Sequence, residues 1–162
     1  MKSFAFTLSP IRAAGLAVLL VVSAGTAHAQ SGPFAGFEGS WSGNGTVLLA
    51  SGANESIRCR ATYATSGNSL KQTLRCASDS YTFNLSSNVI SQGDRVSGDW
   101  SESSRGINGS LQGTAGGGQI QVFVEAAGFA ANITLTTRGN KQQVSISSKG
   151  EIKGVNITMV KG

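Results

Sequence analysis

The sequence predicts an all-β chain folded as a single antiparallel up-and-down barrel of about eight to ten short strands. Three observations predict it. Apolar and polar residues alternate with a period of two, over and over, from Trp41 onward. Twenty-two glycines stand against two prolines, amid abundant Ser, Thr and Asn, which suits short strands and tight turns rather than helices. The breaks in the alternation hold turn residues, and no stretch beyond the N-terminus has a convincing helical period.

The N-terminus has the three parts of a secretory signal peptide. A short cationic region with Lys2 and Arg12 leads into the apolar run Ala13 to Val22, and Ala27-His28-Ala29 forms a small-x-small cleavage site. The apolar run has ten residues, whereas a spanning helix needs about 20. Residues 1–29 are therefore expected to be removed after Ala29, placing the mature protein in the periplasm or outside the cell. Residues 30–38 read as a loose, irregular N-terminal segment, and residues 39–162 as one barrel domain with no linker.

The first strand, near 40–50, ends at the turn Ser51-Gly52-Ala53-Asn54. The second and third, near 55–65 and 70–77, form a hairpin about Gly67-Asn68. Tyr81, Phe83 and Leu85 alternate with Thr82, Asn84 and Ser86 in a fourth strand near 81–91. Gly93-Asp94 turns the chain into a fifth near 94–101, followed by a sixth near 107–115. Gly116-Gly117-Gly118 opens a seventh near 118–126, and Ile133 and Leu135 mark an eighth near 129–138. Gly139-Asn140 and Lys149-Gly150 bound a ninth near 141–148, carrying Val144 and Ile146. Ile157 and Met159 mark the tenth, near 152–161.

Loss of the leader alters the chemistry available. The thirteen basic residues become eleven against eight acidic ones, so the net charge falls from +5 to about +3. His28, the only histidine, leaves as well. A mature chain without histidine has no Ser-His-Asp triad, no His-built metal site and no ordinary general base near neutral pH, so we expect a protein that is not an enzyme and has no cofactor or metal. Asp99, Glu102 and Arg105 surround the second tryptophan, Trp100. Two carboxylates can run glycoside hydrolysis, but the Ser/Gly-rich setting reads as an exposed polar turn. Six Asn-x-Ser/Thr sequons read as compositional in so Ser/Thr/Asn-rich a chain.

Cys59 and Cys76 are the only cysteines, and export makes a disulfide available to them. With a two-residue turn at Gly67-Asn68, Ser66 and Ser69 become a hydrogen-bonded pair and Cys59 falls directly opposite Cys76. An odd number of steps separates the two pairs. The cysteines therefore occupy a non-hydrogen-bonded pair, where the backbones lie closest and a bridge can close. A redox role lacks a Cys-x-x-Cys motif and a helix N-terminus to activate a thiol. In this register Ile57, Ala61, Tyr63, Leu70 and Leu74 share the cysteine face, and Arg58, Arg60, Thr62, Lys71, Thr73 and Arg75 take the other. Arg60 then opposes Arg75, an arrangement that an anion or an acidic partner would relieve, unless Glu55 serves nearby on a solvated face. Few aromatics interleave with these cations, so nucleic acid is not expected as a partner.

Gly39-Ser40-Trp41-Ser42-Gly43-Asn44-Gly45 opens the first strand. Alternate glycines let a neighbouring backbone or ring lie close, and Trp41 supplies a broad apolar cap for one barrel end. The Gly39-x-Trp41 start resembles that of the lipocalin and calycin barrels. The fuller Gly39-x-Trp41-x-Gly43-x-Gly45 form is similar to the nitrobindin-type haem barrels, and the whole chain looks like small uncharacterised exported proteins of Gram-negative bacteria. Two departures qualify what the resemblance implies. The late histidine that holds haem in nitrobindin-type barrels has no counterpart here, so haem is not carried over. Where lipocalins place an arginine over the motif tryptophan, Lys161 is the nearest residue available.

The leading expectation is a periplasmic or secreted lipocalin-like protein that holds a small hydrophobic molecule, with Ala61, Tyr63, Leu74 and Phe83 lining the space. In such a hollow barrel Tyr63→Ala should cost little stability. The alternative is an interaction protein, a protease inhibitor or an envelope-assembly factor that binds an envelope protein, with a packed interior and residues 30–38 as its arm. An outer-membrane barrel is disfavoured, and no stable membrane insertion is expected. Nine aromatics remain after cleavage, too few for two girdles, and the chain ends on Gly162 rather than an aromatic residue.

Overall fold

The computed structural model describes residues 31–162, so the expected leader and its cleavage site lie outside the described residues. Ten antiparallel strands run in sequence: β1 (Gly39–Leu49), β2 (Asn54–Ser66), β3 (Ser69–Ala77), β4 (Thr82–Gln92), β5 (Arg95–Glu102), β6 (Ile107–Gly116), β7 (Gln119–Ala126), β8 (Phe129–Arg138), β9 (Lys141–Ser148) and β10 (Ile152–Lys161). Each pairs with its sequence neighbours, and β1 pairs with β10 to close the barrel. This is the predicted meander at the upper end of the expected strand number. Its strand boundaries fall within about two residues of those read from the periodicity, the usual scatter of strand ends.

The two ends of the barrel differ because their connections differ. At one end β2–β3, β4–β5, β6–β7 and β8–β9 turn through two residues each, as at Gly67-Asn68 and Gly139-Asn140. Gly67 has φ 58° and Gly139 φ 59°, while among the described residues no non-glycine residue has positive φ. Positive φ at the first turn residue alone is what a type II′ hairpin needs, and it matches the natural twist of the strands. At the other end β1–β2, β3–β4 and β5–β6 connect through four residues, β9–β10 through three and only β7–β8 through two. Short turns draw one rim tight, and longer loops leave the other wide.

Burial alternates along every strand, apolar side chains inward and Ser, Thr, Asn, Gln, Lys and Arg outward. A lipid-embedded barrel has the reverse arrangement. Among the described residues no helix is long and apolar enough to cross a membrane.

The hairpin register is the predicted one: Ser66 opposes Ser69, Arg60 opposes Arg75, and Cys59 opposes Cys76. The cysteines are joined by a disulfide with their Cα atoms 4.1 Å apart. Both are buried. Closing a loop of this length contributes about 3 kcal/mol.

Residues 31–38 form turns rather than a free arm. Phe34 and Phe37 are buried at the tight end, and the Glu38 carboxylate accepts hydrogen bonds from the backbone N–H and hydroxyl of Thr65. The looseness expected of this segment is therefore corrected. Two phenylalanines five residues or fewer from the first strand find an open barrel end to bury themselves in, and burying each is worth about 2 kcal/mol.

Candidate functional site

The interior divides into a plugged half and a hollow half. Phe37, Trp41, Tyr63, Leu70 and Met159 are essentially inaccessible and fill the tight end. Trp41 Nε1 donates to the carbonyl of Phe37 at 2.8 Å, and the Phe37 and Tyr63 rings meet edge-on, 5.8 Å between centroids. The Tyr63 hydroxyl donates to Gln142 Oε1 at 2.8 Å, and Gln142 Nε2 donates to Thr137 Oγ1 at 3.0 Å. Gln142 is completely buried, so this chain of bonds satisfies a polar group that would otherwise be costly inside an apolar core. Burial pushes the Tyr63 phenol well above its ordinary range, with the bond to Gln142 acting weakly the other way.

The wide half holds a cavity of about 310 Å³. Its size is at the lower end of small-molecule pockets, which run about 300–1,000 Å³. Leu74, Val122, Val124, Leu135, Val144 and Ile157 form the middle of its wall. Towards the wide rim the inward side chains Phe83, Leu85, Ile107, Ile133, Ile146 and Ile152 are only partly buried, because nothing covers them from above. Gln72 and Ser87 place a polar pair on this wall, with the Ser87 hydroxyl donating to Gln72 Oε1 at 3.1 Å.

The mouth is built from three loops. Tyr81 stacks on Phe83, with centroids 6.1 Å apart, and the Tyr81 hydroxyl donates to Glu151 Oε1 at 3.0 Å. Arg105 lies over the Phe83 ring at 4.9 Å. Glu102, 4% exposed, points inward from the last position of β5. Its carboxylate accepts backbone N–H bonds from Asn84 at 3.0 Å, Ser104 at 2.9 Å and Arg105 at 2.8 Å. Desolvation alone would raise its pKa, but these donors together outweigh burial and hold it below the usual carboxylate range.

Glu102 therefore corrects the expectation of an exposed polar turn. The β5–β6 loop folds back over β4, its Ser103 N–H donating to the Asn84 carbonyl, and encloses the carboxylate. Asp99 has the opposite parity on β5 and is exposed on the outer wall, so the two carboxylates cannot flank one bond. A carboxylate held ionised this way stabilises the fold above its unfolded-state pKa, near 4.5, and loses that contribution as pH falls through the lower folded value. Thermal melts should accordingly show a steeper loss below about pH 4.5 in the parent than in Glu102→Gln. Parallel profiles would contradict this role. Glu38, also lowered, is common to both proteins and drops out of the comparison.

Of the residues expected to line a ligand space, Tyr63 forms the cavity floor, and Leu74 and Phe83 lie on its wall. Ala61 is buried directly opposite Trp41 and is not on the wall. The small side chain makes room for the indole rather than for a ligand. The expectation that Tyr63→Ala would be cheap is also corrected, since the ring is locked among Phe37 and Gln142. Gly39, Trp41, Gly43 and Gly45 face inward along β1. Their side opposes β10, whose backbone occupies the space a Cβ would need at Gly43 and Gly45. Lys161 Nζ stands 5.5 Å from the centroid of the Trp41 ring.

Arg58, Arg60, Lys71 and Arg75 are all exposed on the outer wall. Glu55 is not among them, since it has the inward parity of β2 and accepts a hydrogen bond from the Ser78 hydroxyl at 2.8 Å. Sequence reasoning missed Glu102, Arg105, Gln72 and Glu151 as parts of the mouth or wall. Parity alone marks Gln72 and Glu102 as inward, but only the folded loops show what surrounds them.

No protein-family model matches the chain, and no curated protein matches it. Solved structures do share its fold. Rv2717c from M. tuberculosis superposes with a TM-score of 0.63 at 14% identity, over 78% of this chain and 92% of that one. The S-type phycobiliprotein lyase CPES from Guillardia theta superposes with a TM-score of 0.53 at 12% identity, over 77% of this chain and 88% of that one. At these identities the likeness is one of fold alone, that of a ten-stranded barrel.

Proposed function

We propose that the mature barrel is an exported binding protein, not an enzyme, that takes a small, largely apolar molecule through its wide end. The cavity carries this reading. A hollow lined by aliphatic side chains, floored by a packed aromatic plug and rimmed by polar groups gives an apolar ligand a dry environment with one way in. The polar outer wall suits a barrel surrounded by water, and the disulfide suits an oxidising compartment. One protein of similar fold is a phycobiliprotein lyase. This chain shares too little sequence with it to inherit that activity, and the absence of histidine from the mature chain supports binding alone. The packed interior expected of an interaction protein describes the tight end only.

The experiment is titration of the mature protein with the neutral, environment-sensitive dye N-phenyl-1-naphthylamine. We expect saturable binding of one dye per barrel. Ile133→Trp, which fills the cavity from a partly buried inward position, should weaken binding at least about tenfold, or about 1.4 kcal/mol. It should leave the melting temperature nearly unchanged, because the new ring enters existing space. Dye fluorescence that never saturates, or equal affinity in Ile133→Trp, would remove the carrier reading.

A further inference from the structure

The outer wall holds a second concavity that the apolar cargo would not use. On β2 and β3 the register sets Arg60 directly opposite Arg75, with Thr62 opposite Thr73 in the next row. Asn84 on β4 opposes Arg75 from the far side. These five residues, with Ser103, border a polar hollow of about 360 Å³.

Charge on this wall is one-sided. Arg58, Arg60, Lys71 and Arg75 are exposed on it, while β1 to β4 contain a single acid, Glu55, whose side chain has inward parity and bonds to Ser78. Among the described residues the salt bridge found is Arg105–Glu102, at the mouth, so none of these four cations has a carboxylate partner. Like charges opposed across a ladder disfavour the empty sheet. A ligand carrying two negative charges reverses that sign.

The donor set narrows the class. Each guanidinium offers a planar fork that grips two oxygens at once, and two forks facing one hollow need an anion with at least three or four oxygens spread around a centre. A tetrahedral oxyanion meets this. A carboxylate, with two oxygens, occupies one fork and leaves the other unmatched. The hydroxyls of Thr62 and Thr73 are further donors beside the forks, and the Asn84 amide, which gives one N–H to Ser104 Oγ at 2.9 Å, has a second. We propose that the Arg60–Arg75 hollow binds a phosphoryl or sulfate group, either as the free ion or as part of an anionic lipid headgroup.

The test uses the mature protein in phosphate-free buffer of low ionic strength. Inorganic phosphate and pyrophosphate should raise its melting temperature and bind saturably by calorimetry, since a ligand of the native state stabilises it by mass action. Arg60→Gln and Arg75→Gln should each weaken binding about tenfold or more, and each should melt slightly higher than the parent without anion. Arg138→Gln, which removes an exposed cation from β8 on the opposite side of the barrel, should change neither. Sedimentation with vesicles of phosphatidic acid, whose phosphomonoester headgroup has three terminal oxygens, against phosphatidylcholine vesicles, separates the sources. Recruitment that Arg60→Gln abolishes and phosphate competes away identifies a headgroup site, and phosphate binding without recruitment identifies a free-ion site. The proposal is overturned if neither phosphate nor vesicles bind, or if Arg138→Gln loses as much affinity as Arg60→Gln. Because the neutral dye reports on the interior alone, either site can fail without the other.

Discussion

Tyr63→Ala should destabilise the barrel by about 3–5 kcal/mol, the range for removing a large aromatic side chain from a packed core. The ring is 1% exposed, sits edge-on to Phe37 and supplies the hydrogen bond that satisfies the buried Gln142 amide. Truncation leaves a cavity and an unpaired carbonyl oxygen together. Tyr63→Phe separates the two effects. It keeps the ring and removes only the donor, and should cost about 1–3 kcal/mol, the penalty for orphaning a buried polar group. Equilibrium denaturation measures both. A loss below about 1 kcal/mol for Tyr63→Ala would mean that the tight end is not the packed plug described here.

The second large effect belongs to the seam that closes the barrel. A Cβ on Gly43 would lie 1.9 Å from the Thr158 carbonyl oxygen and 2.7 Å from the Met159 Cα. Both are backbone atoms of β10, which is held on its other side by β9, so neither can swing aside as a flexible side chain could. Gly43→Ala should therefore cost about 3 kcal/mol, the upper part of the range for overpacking. It should also loosen β1 from β10, visible as faster amide exchange along that pair. Gly116→Ala is the control. It is exposed at the end of β6 with no neighbour within reach of an added Cβ, and should stay within about 0.5 kcal/mol of the parent. Equal effects at the two glycines would refute the close approach at the seam.

Whatever depends on near neighbours in the chain was legible in the order of the amino acids. Side-chain alternation has a period of two, so the strands and their inward faces could be read directly. A two-residue turn leaves no freedom in the register beyond it, so Gly67-Asn68 sufficed to place Cys59 against Cys76 and Arg60 against Arg75. The β1 glycines announced a close approach but did not say that β10 was the strand approaching.

Parity tells which way a side chain points and nothing about what lies above or below it along the barrel axis. For that reason Tyr63, Leu74 and Ala61 looked equivalent, although one is floor, one is wall and one packs under Trp41. Tyr63 is locked by Phe37 from the N-terminal segment and by Gln142, 79 residues away. Glu102 is enclosed by a loop that folds back onto β4, and Glu55 is turned inward to Ser78. These placements, and with them which end is plugged and which is open, arise when the barrel closes. They depend on the three-dimensional volume left between strands distant in sequence, and a one-dimensional pattern of alternation carries no record of that volume.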